Sequence, residues 1–318
     1  MSGKGGTGKS TVAAALAIAL ASGGKKVLLM EVEGRQGIAQ MFDTPPLPYE
    51  ERQVAVAPGG GEVFALAVDP EAALLEYLEM FYNMRRAGSA LKKLGAVDFA
   101  TTIAPGIRDV LLTGKAAEAV KRGERTGRPV YDAIVMDAPP TGRVSRFLNV
   151  SAEVGNLAKV GPIKGQAESV MNIIRSPRTA VHVVTLLEEM PVQETLDGIS
   201  ELQANRLPVG AVIVNMLRAP QLPDDDLEAA LTGAVDLDEV RAGIKSAGLS
   251  SKLDLDEAVS ALVSEAADHA ERVALENEER SRLDSVDQPI YELPEIAGGI
   301  DVGALYALAR MLREQGAA

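Results

Sequence analysis

The first residues of the chain have the spacing of a phosphate-binding loop. Gly3, Gly8, Lys9 and Ser10 match the pattern G-x-x-x-x-G-K-[ST]. The glycines let successive backbone N–H groups face one anion, and the following helix directs the positive end of its dipole at the same place. We expect Lys9 to contact the β- and γ-phosphates of a nucleotide, and the Ser10 hydroxyl to bind Mg²⁺. The residues predicted to hold the nucleotide in this loop are Gly3, Lys4, Gly5, Gly6, Thr7, Gly8, Lys9, Ser10 and Thr11.

A second motif, with the sequence DAPPTG, occupies residues 137–142 after an apolar run. A carboxylate at the end of a buried strand is the usual Mg²⁺ partner in P-loop enzymes. Asp137 and Ser10 are therefore the predicted metal ligands. Gly142 allows a tight turn that can respond to the γ-phosphate.

Residues 1–24 also imitate a secretory signal peptide, with two lysines before an apolar run from Val12 to Ala21. The run is too short for a transmembrane helix, and its lysines belong to the phosphate-binding motif, so we interpret it as the buried face of the helix after the loop. A P-loop normally follows a buried strand, yet only Met1 and Ser2 precede Gly3. We expect that strand to lie upstream and to be missing from this chain. The alternative is an absent central strand, which would leave a slot in the core.

The elements that must position these motifs alternate between strands and helices. Apolar runs bounded by Gly, Pro and charged residues predict strands at 26–32, 63–68, 131–137, 180–186, 209–215 and 288–293. Helices are predicted at 69–84, 142–150, 152–175, 191–205 and 302–313 and over most of 224–283. This alternation predicts an α/β fold, a mostly parallel sheet flanked by helices. We expect one P-loop domain over 1–318, with a helical insert at about 69–128 and 142–176.

The composition excludes several classes of protein. The 318 residues carry a net charge of −13, which argues against binding nucleic acid through a broadly basic surface. The chain has no cysteine, which excludes disulfides, thiolate zinc sites and iron–sulfur clusters. Most of the excess charge lies in a helical segment at 221–287, with 18 acidic and 6 basic residues, whereas 85–128 has 10 basic and 4 acidic residues. These stretches are either solvated helix faces or surfaces that steer a partner subunit.

Three stretches resemble the ArsA-like ATPases, which include arsenite-pump and tail-anchored-protein-targeting ATPases. The loop KGGTGKST at 4–11, with its extra lysine Lys4, resembles the deviant Walker A motif, and DAPPTGRVSRFL at 137–148 resembles switch II of this family. VIVN at 212–215 and YELP at 291–294 resemble its adenine-binding segments. The resemblance extends to about residue 310 and is greatest to a cysteine-free branch of the type found in actinobacteria, often as pairs of related subunits.

The resemblance implies a cytoplasmic, Mg²⁺-dependent ATPase that works as a homodimer or as a heterodimer with a related subunit. Lys4 would reach the partner's nucleotide and stabilise charge on the transferred phosphoryl group. Asn215, Leu293 and Pro294 would contact adenine. The segments at 31–42 and 137–148 would respond to the γ-phosphate, and the helical insert would bind or release a protein or membrane-protein client. Neither nucleic-acid binding nor stable membrane insertion is expected.

Departures from the family pattern leave several points open. Glu33 stands where a water-positioning Asp is expected, so it is either catalytic or a surface or helix-capping carboxylate. Arg143 replaces a switch II His. The absence of cysteine argues against arsenite stimulation and against a zinc clasp between subunits. An apolar stripe is either part of a client groove or packed core; it comprises Leu74, Leu75, Leu78, Met80, Phe81, Met84, Val170, Met171, Ile173 and Ile174.

Other functions remain alternatives. The chain could be a catalytically weak ATP-binding subunit that supports a paralogue. It could also be a partitioning or positioning ATPase, although such proteins need a DNA-binding surface or a basic amphipathic tail, and Val302–Arg313 carries only Arg310 and Arg313. A cluster-carrier ATPase of the usual kind is excluded by the lack of cysteine.

Overall fold

The computed structural model describes residues 1–82, 105–123, 127–157, 162–249 and 254–318. The chain divides into two compact units. The first unit comprises Met1–Leu186, Gln193–Leu217 and Gln288–Ala318, and the second comprises Leu187–Val192 and Arg218–Asp287. The part of the predicted helical insert at 83–104 lies outside the described residues.

The first unit contains the β-sheet strands. They are β1 (Ser2–Gly3), β2 (Lys26–Glu31), β3 (Arg52–Ala57), β4 (Gly61–Ala67), β5 (Ala133–Asp137), β6 (Val181–Thr185), β7 (Val209–Leu217) and β8 (Ile290–Pro294). Their orders are β3-β4-β2-β5 and β1-β6-β7-β8, and every pair is parallel except β3 with β4. Met1 joins the two sheets, because its amino group donates to Met136 O at 2.7 Å and the Ala138 amide donates to Met1 O at 2.9 Å. The predicted mostly parallel α/β fold is confirmed.

The first strand corrects one expectation. The strand before the loop was predicted to be missing from the chain, but β1 is present as two residues that pair with Val183 and Val184 of β6. No described strand pairs with the first part of β5 on the side facing β6. A cavity of about 570 Å³ adjoins this region, lined mainly by apolar side chains of β5, β6 and neighbouring helices.

The helices of the first unit flank the sheet. They are α1 (Lys9–Ala21), α2 (Gly37–Met41), α3 (Pro70–Tyr82), α4 (Pro105–Lys121), α5 (Thr141–Leu157), α6 (Pro162–Ile174), α7 (Glu189–Ala204, whose first residues belong to the second unit) and α11 (Val302–Glu314). The alanine-rich helix α1 is buried along nearly its whole length, which explains why its sequence is apolar all round. Asp69 caps α3, accepting a hydrogen bond from the Ala72 amide at 2.7 Å.

The structure bears on two details of the predicted helical insert. The break expected near residue 151 is wrong: α5 continues through it, and the buried Ser151 hydroxyl lies 3.4 Å from that of Thr113 on α4. Val170, Met171 and Ile174 are buried, which favours core packing for that part of the apolar stripe. The side chains of Leu78, Met80, Phe81 and Met84 lie outside the described set.

The second unit is helical and includes the acidic segment 221–287. Its further helices are α8 (Asp224–Thr232), α9 (Leu237–Ser246) and α10 (Leu255–Leu283). Asp236 and Asp254 cap α9 and α10 by accepting hydrogen bonds from two amides each. A small apolar cluster of Leu227, Ala230 and Ala270 holds α8 against α10. Within the described ranges of both units, no helix is long and apolar enough to cross a membrane.

Candidate active site

The phosphate loop connects β1 to α1. Its backbone turns through left-handed conformations at Gly6 (φ 91°) and Gly8 (φ 78°), where a side chain would be strained. The Thr7 hydroxyl donates to Lys4 O at 2.9 Å and fixes the turn. No side chain caps the first amides of α1. These amides therefore lack the usual partner, as expected of a helix start that receives an anion.

Behind the loop lies a compact group of charges. The Lys9 ammonium is 3.2 Å from Asp137 Oδ1 and 3.2 Å from Glu33 Oε2, and Lys9 is only 8% exposed. Asp137 ends β5 at 4% exposure and accepts a hydrogen bond from the Ser10 hydroxyl at 2.5 Å. A buried ammonium is stable only when paired, and these two carboxylates supply that pairing. The structure thus brings together Lys9, Ser10, Glu33 and Asp137 from separate parts of the sequence.

This group also fits a magnesium ion. Ser10 Oγ and Asp137 Oδ2 are hard oxygen donors that already point at one another. Mg²⁺ in proteins is typically held by one or two carboxylates together with substrate phosphates and water. The described residues contain no group of three acidic or imidazole side chains that could form an all-protein metal cage. Ser10 and Asp137 are the described residues that could hold such an ion together with nucleotide phosphates.

Glu31 is a second acid at this edge, and it was missed as a candidate site residue. It ends β2, pairs in register with Asp137 of β5, and is 3% exposed. Its carboxylate accepts hydrogen bonds from the amides of Gly37 at 3.3 Å and Ile38 at 3.4 Å, at the start of α2. Its position at the end of an apolar strand is the same signal that identified Asp137. Glu31 therefore anchors the segment that follows Glu33.

Helix α4 contacts both segments expected to respond to nucleotide. Arg108 donates to Val32 O at 3.4 Å, next to Glu33. Asp109 lies 4.0 Å from Arg143, which follows the DAPPTG motif. Burial raises the pKa of Asp109, and the two neighbouring arginines oppose that shift. One turn of α4 is thus connected to both segments.

The extra loop lysine does not join the charge cluster. Lys4 Nζ lies 2.9 Å from Glu194 Oε1 on α7, and both side chains are about one-third exposed. The other oxygen of Glu194 accepts a hydrogen bond from Thr141 Oγ1 at 3.3 Å. Glu194 was not singled out from the sequence, because nothing local marks one helical glutamate among many.

The three residues predicted to contact adenine lie in different surroundings. Asn215 is buried, and its side-chain amide donates to Thr7 O at 2.9 Å, so it is held against the phosphate loop. Leu293 is fully buried in the main apolar core. Pro294 ends β8 opposite Leu217 and is half-buried. Adenine contact by these residues stays a prediction.

Comparison with known proteins places this site in a family. The sequence profile of the anion-transporting ATPases, ArsA_ATPase, matches residues 1–176. The ATPase BagA of Mycobacterium tuberculosis is 55% identical over 316 residues, which is 99% of this chain and 92% of the relative. The ATPase GET3 of Kluyveromyces lactis is 25% identical over 258 residues, covering 70% of this chain and 73% of the relative. An arsenical pump-driving ATPase of Acidiphilium multivorum is 27% identical over 248 residues, covering 72% and 41%.

The matched segment includes the phosphate loop, Glu33 and the motif that begins at Asp137. The relative at 55% identity extends the similarity over nearly the whole chain, including the strand that ends near Asn215. The loop, the charge cluster and these matches agree, and the chain belongs to the ArsA-type, anion-transporting ATPase family.

Proposed function

We propose that the chain is a Mg²⁺-dependent ATPase whose nucleotide state controls a dimer and the helices beside the sheet. The observation that carries this proposal is the cluster of Lys9, Ser10, Glu33 and Asp137 at the start of α1. The loop amides and Lys9 bind the phosphates, and Ser10 and Asp137 hold the metal, which neutralises phosphate charge when it is bound.

Glu33 is the residue we assign to the attacking water. It is 14% exposed, so a water molecule can reach its carboxylate, and it lies beside the lysine that binds phosphate. When the phosphates attract the Lys9 ammonium, one carboxylate oxygen of Glu33 becomes available to orient water. The ion pair between Lys9 and Glu33 also favours a second candidate function. If Glu33 stays bound to Lys9, the chain is a catalytically weak subunit, whose turnover rises only when a related subunit is added.

The contacts of α4 support a nucleotide-dependent change in the helical layer. Arg108 and Asp109 are adjacent on one turn, and they contact Val32 and Arg143 respectively. A γ-phosphate that reorders either segment changes a contact of α4. Helices α3 to α6 would then bind or release a protein or membrane-protein client. Cytoplasmic location is part of this proposal.

A partitioning or positioning role receives less support. The apolar residues of α11, including Leu305, Leu308 and Leu312, are buried in the core of the first unit. An amphipathic membrane tail would have to expose such a face. The last helix therefore has a packing role.

The dimer can be tested through the loop lysine. Light scattering should give the mass of a monomer without nucleotide and of a dimer with a non-hydrolysable ATP analogue and Mg²⁺. Lys4→Ala should remain monomeric with the analogue, whereas the control Lys25→Ala, which removes an exposed lysine, should behave like the wild type. A mass that does not change with nucleotide would refute the dimer proposal.

A further inference from the structure

Glu194 connects the phosphate loop to the segment after Asp137 through one carboxylate. Its Oε1 is 2.9 Å from the Lys4 ammonium, and its Oε2 accepts the hydrogen bond of the Thr141 hydroxyl. Thr141 is 3% exposed and begins α5. Helix α7 also lies close to Thr141. A Cβ added at Gly198 of this helix would be 3.5 Å from the Thr141 methyl group.

Lys4 can contact either Glu194 of its own chain or the phosphates of a partner subunit, but not both at once. In the proposed dimer its ammonium must leave its own subunit to reach the partner's phosphates. In the structure it is held by Glu194 of the same chain. Separation of this pair is therefore required before Lys4 can act in the way that the proposed function assigns to it.

We infer that Glu194 is a positioning residue that restrains Lys4 within its own subunit and releases it when the segment at Thr141 moves. This inference rests on the proposed function for the role of Lys4, but the restraint itself does not. Movement of Thr141 removes the hydrogen bond that fixes one oxygen of Glu194, and the ion pair with Lys4 loses its orientation. A nucleotide that moves the segment after Asp137 would thereby make Lys4 available to the partner subunit.

The expected strength of the restraint on Lys4 follows from how exposed the two paired side chains are. Lys4 and Glu194 side chains are 31% and 36% exposed, and ion pairs that are this accessible to water are weak. The restraint should shift the dimer equilibrium by about two- to fivefold, which suits a switch that nucleotide must overcome.

The test uses Glu194→Gln, which keeps the acceptor for Thr141 and removes the charge. Glu201→Gln is the matched control, because Glu201 is an exposed glutamate on the same helix. Lysine acetylation followed by mass spectrometry reports how available Lys4 is, with exposed Lys25 as the internal reference. Thermal unfolding of each variant establishes that the fold is retained.

We expect Lys4 of the nucleotide-free protein to be acetylated about two- to fivefold faster in Glu194→Gln than in the wild type or the control. The dimer formed with an ATP analogue should also be about two- to fivefold tighter in that variant. Equal Lys4 acetylation in all three proteins would overturn the inference, as would faster acetylation without a tighter dimer when the wild type dimerises. If acetylation rises but neither protein dimerises with nucleotide, the restraint stands and the proposed dimer function fails.

Discussion

Substitution of Gly8 separates the two reasons why a glycine is needed in the phosphate loop. Gly8 has φ 78° and ψ 21°, which costs a residue with a side chain about 1–2 kcal/mol. A Cβ there would also lie 2.3 Å from the Asn215 side-chain amide, which is bonded to Thr7 O. Displacing Asn215 breaks that buried bond, at about 1–3 kcal/mol. Gly8→Ala should therefore lower the free energy of unfolding by about 2–5 kcal/mol.

Two neighbouring glycines serve as controls. Gly6 has φ 91°, but no described atom lies within 4 Å of the place where a Cβ would stand, so Gly6→Ala should show only the strain of about 1–2 kcal/mol. Gly5 has neither constraint, and Gly5→Ala should change stability by less than about 1 kcal/mol. Urea unfolding at equilibrium gives all three values. Adding Asn215→Ala to Gly8→Ala should cost less than the sum of the two single changes, because the smaller side chain removes the clash. Equal stability of the Gly5 and Gly8 variants, or strict additivity in the double variant, would refute this reasoning.

Three further outcomes are expected. Ala117 lines the cavity beside β1, so Ala117→Leu should fill space there and raise the free energy of unfolding by about 1 kcal/mol. Ala14 is fully buried in the packed helix α1, so Ala14→Leu should lower the free energy of unfolding. Urea unfolding measures both changes. Burial lowers the pKa of His182 from 6.5 to about 4. As the pH falls from 6.5 to 4, the unfolded chain therefore takes up a proton at this residue and the folded chain does not. The wild type should therefore lose about 1.5 kcal/mol more than His182→Asn between pH 6.5 and pH 5, and equal losses in urea unfolding would contradict this. Glu31→Gln should speed hydrogen exchange of the first α2 amides severalfold, and unchanged exchange would show that Glu31 does not anchor them.

Much of the sheet could be predicted because its strands are continuous apolar runs, the pattern of strands buried on both faces. Glycine and proline mark where these runs stop, so β2, β4, β5, β6, β7 and β8 were predicted within about two residues. The break expected near residue 151 was wrong, because the small polar residue Ser151 is buried between α4 and α5 with a hydroxyl partner. That partner depends on packing, which periodicity does not reveal.

The candidate site was predictable where a residue's role depends on local spacing. Lys9, Ser10 and Asp137 belong to short motifs with a mechanical reason for each residue type. Glu31 and Glu194 act through partners on other elements, across a strand register or a helix contact. Sequence spacing alone gives no information about such partners.

Phosphate release by the purified protein is the most direct test of the central claim, that this site hydrolyses ATP. The wild type should release phosphate from ATP only when Mg²⁺ is present. Glu33→Gln should bind ATP with similar affinity and release phosphate about 100-fold more slowly, because the group that orients water is lost. No release by the wild type, or equal release by the two proteins with equal ATP affinity, would contradict the account.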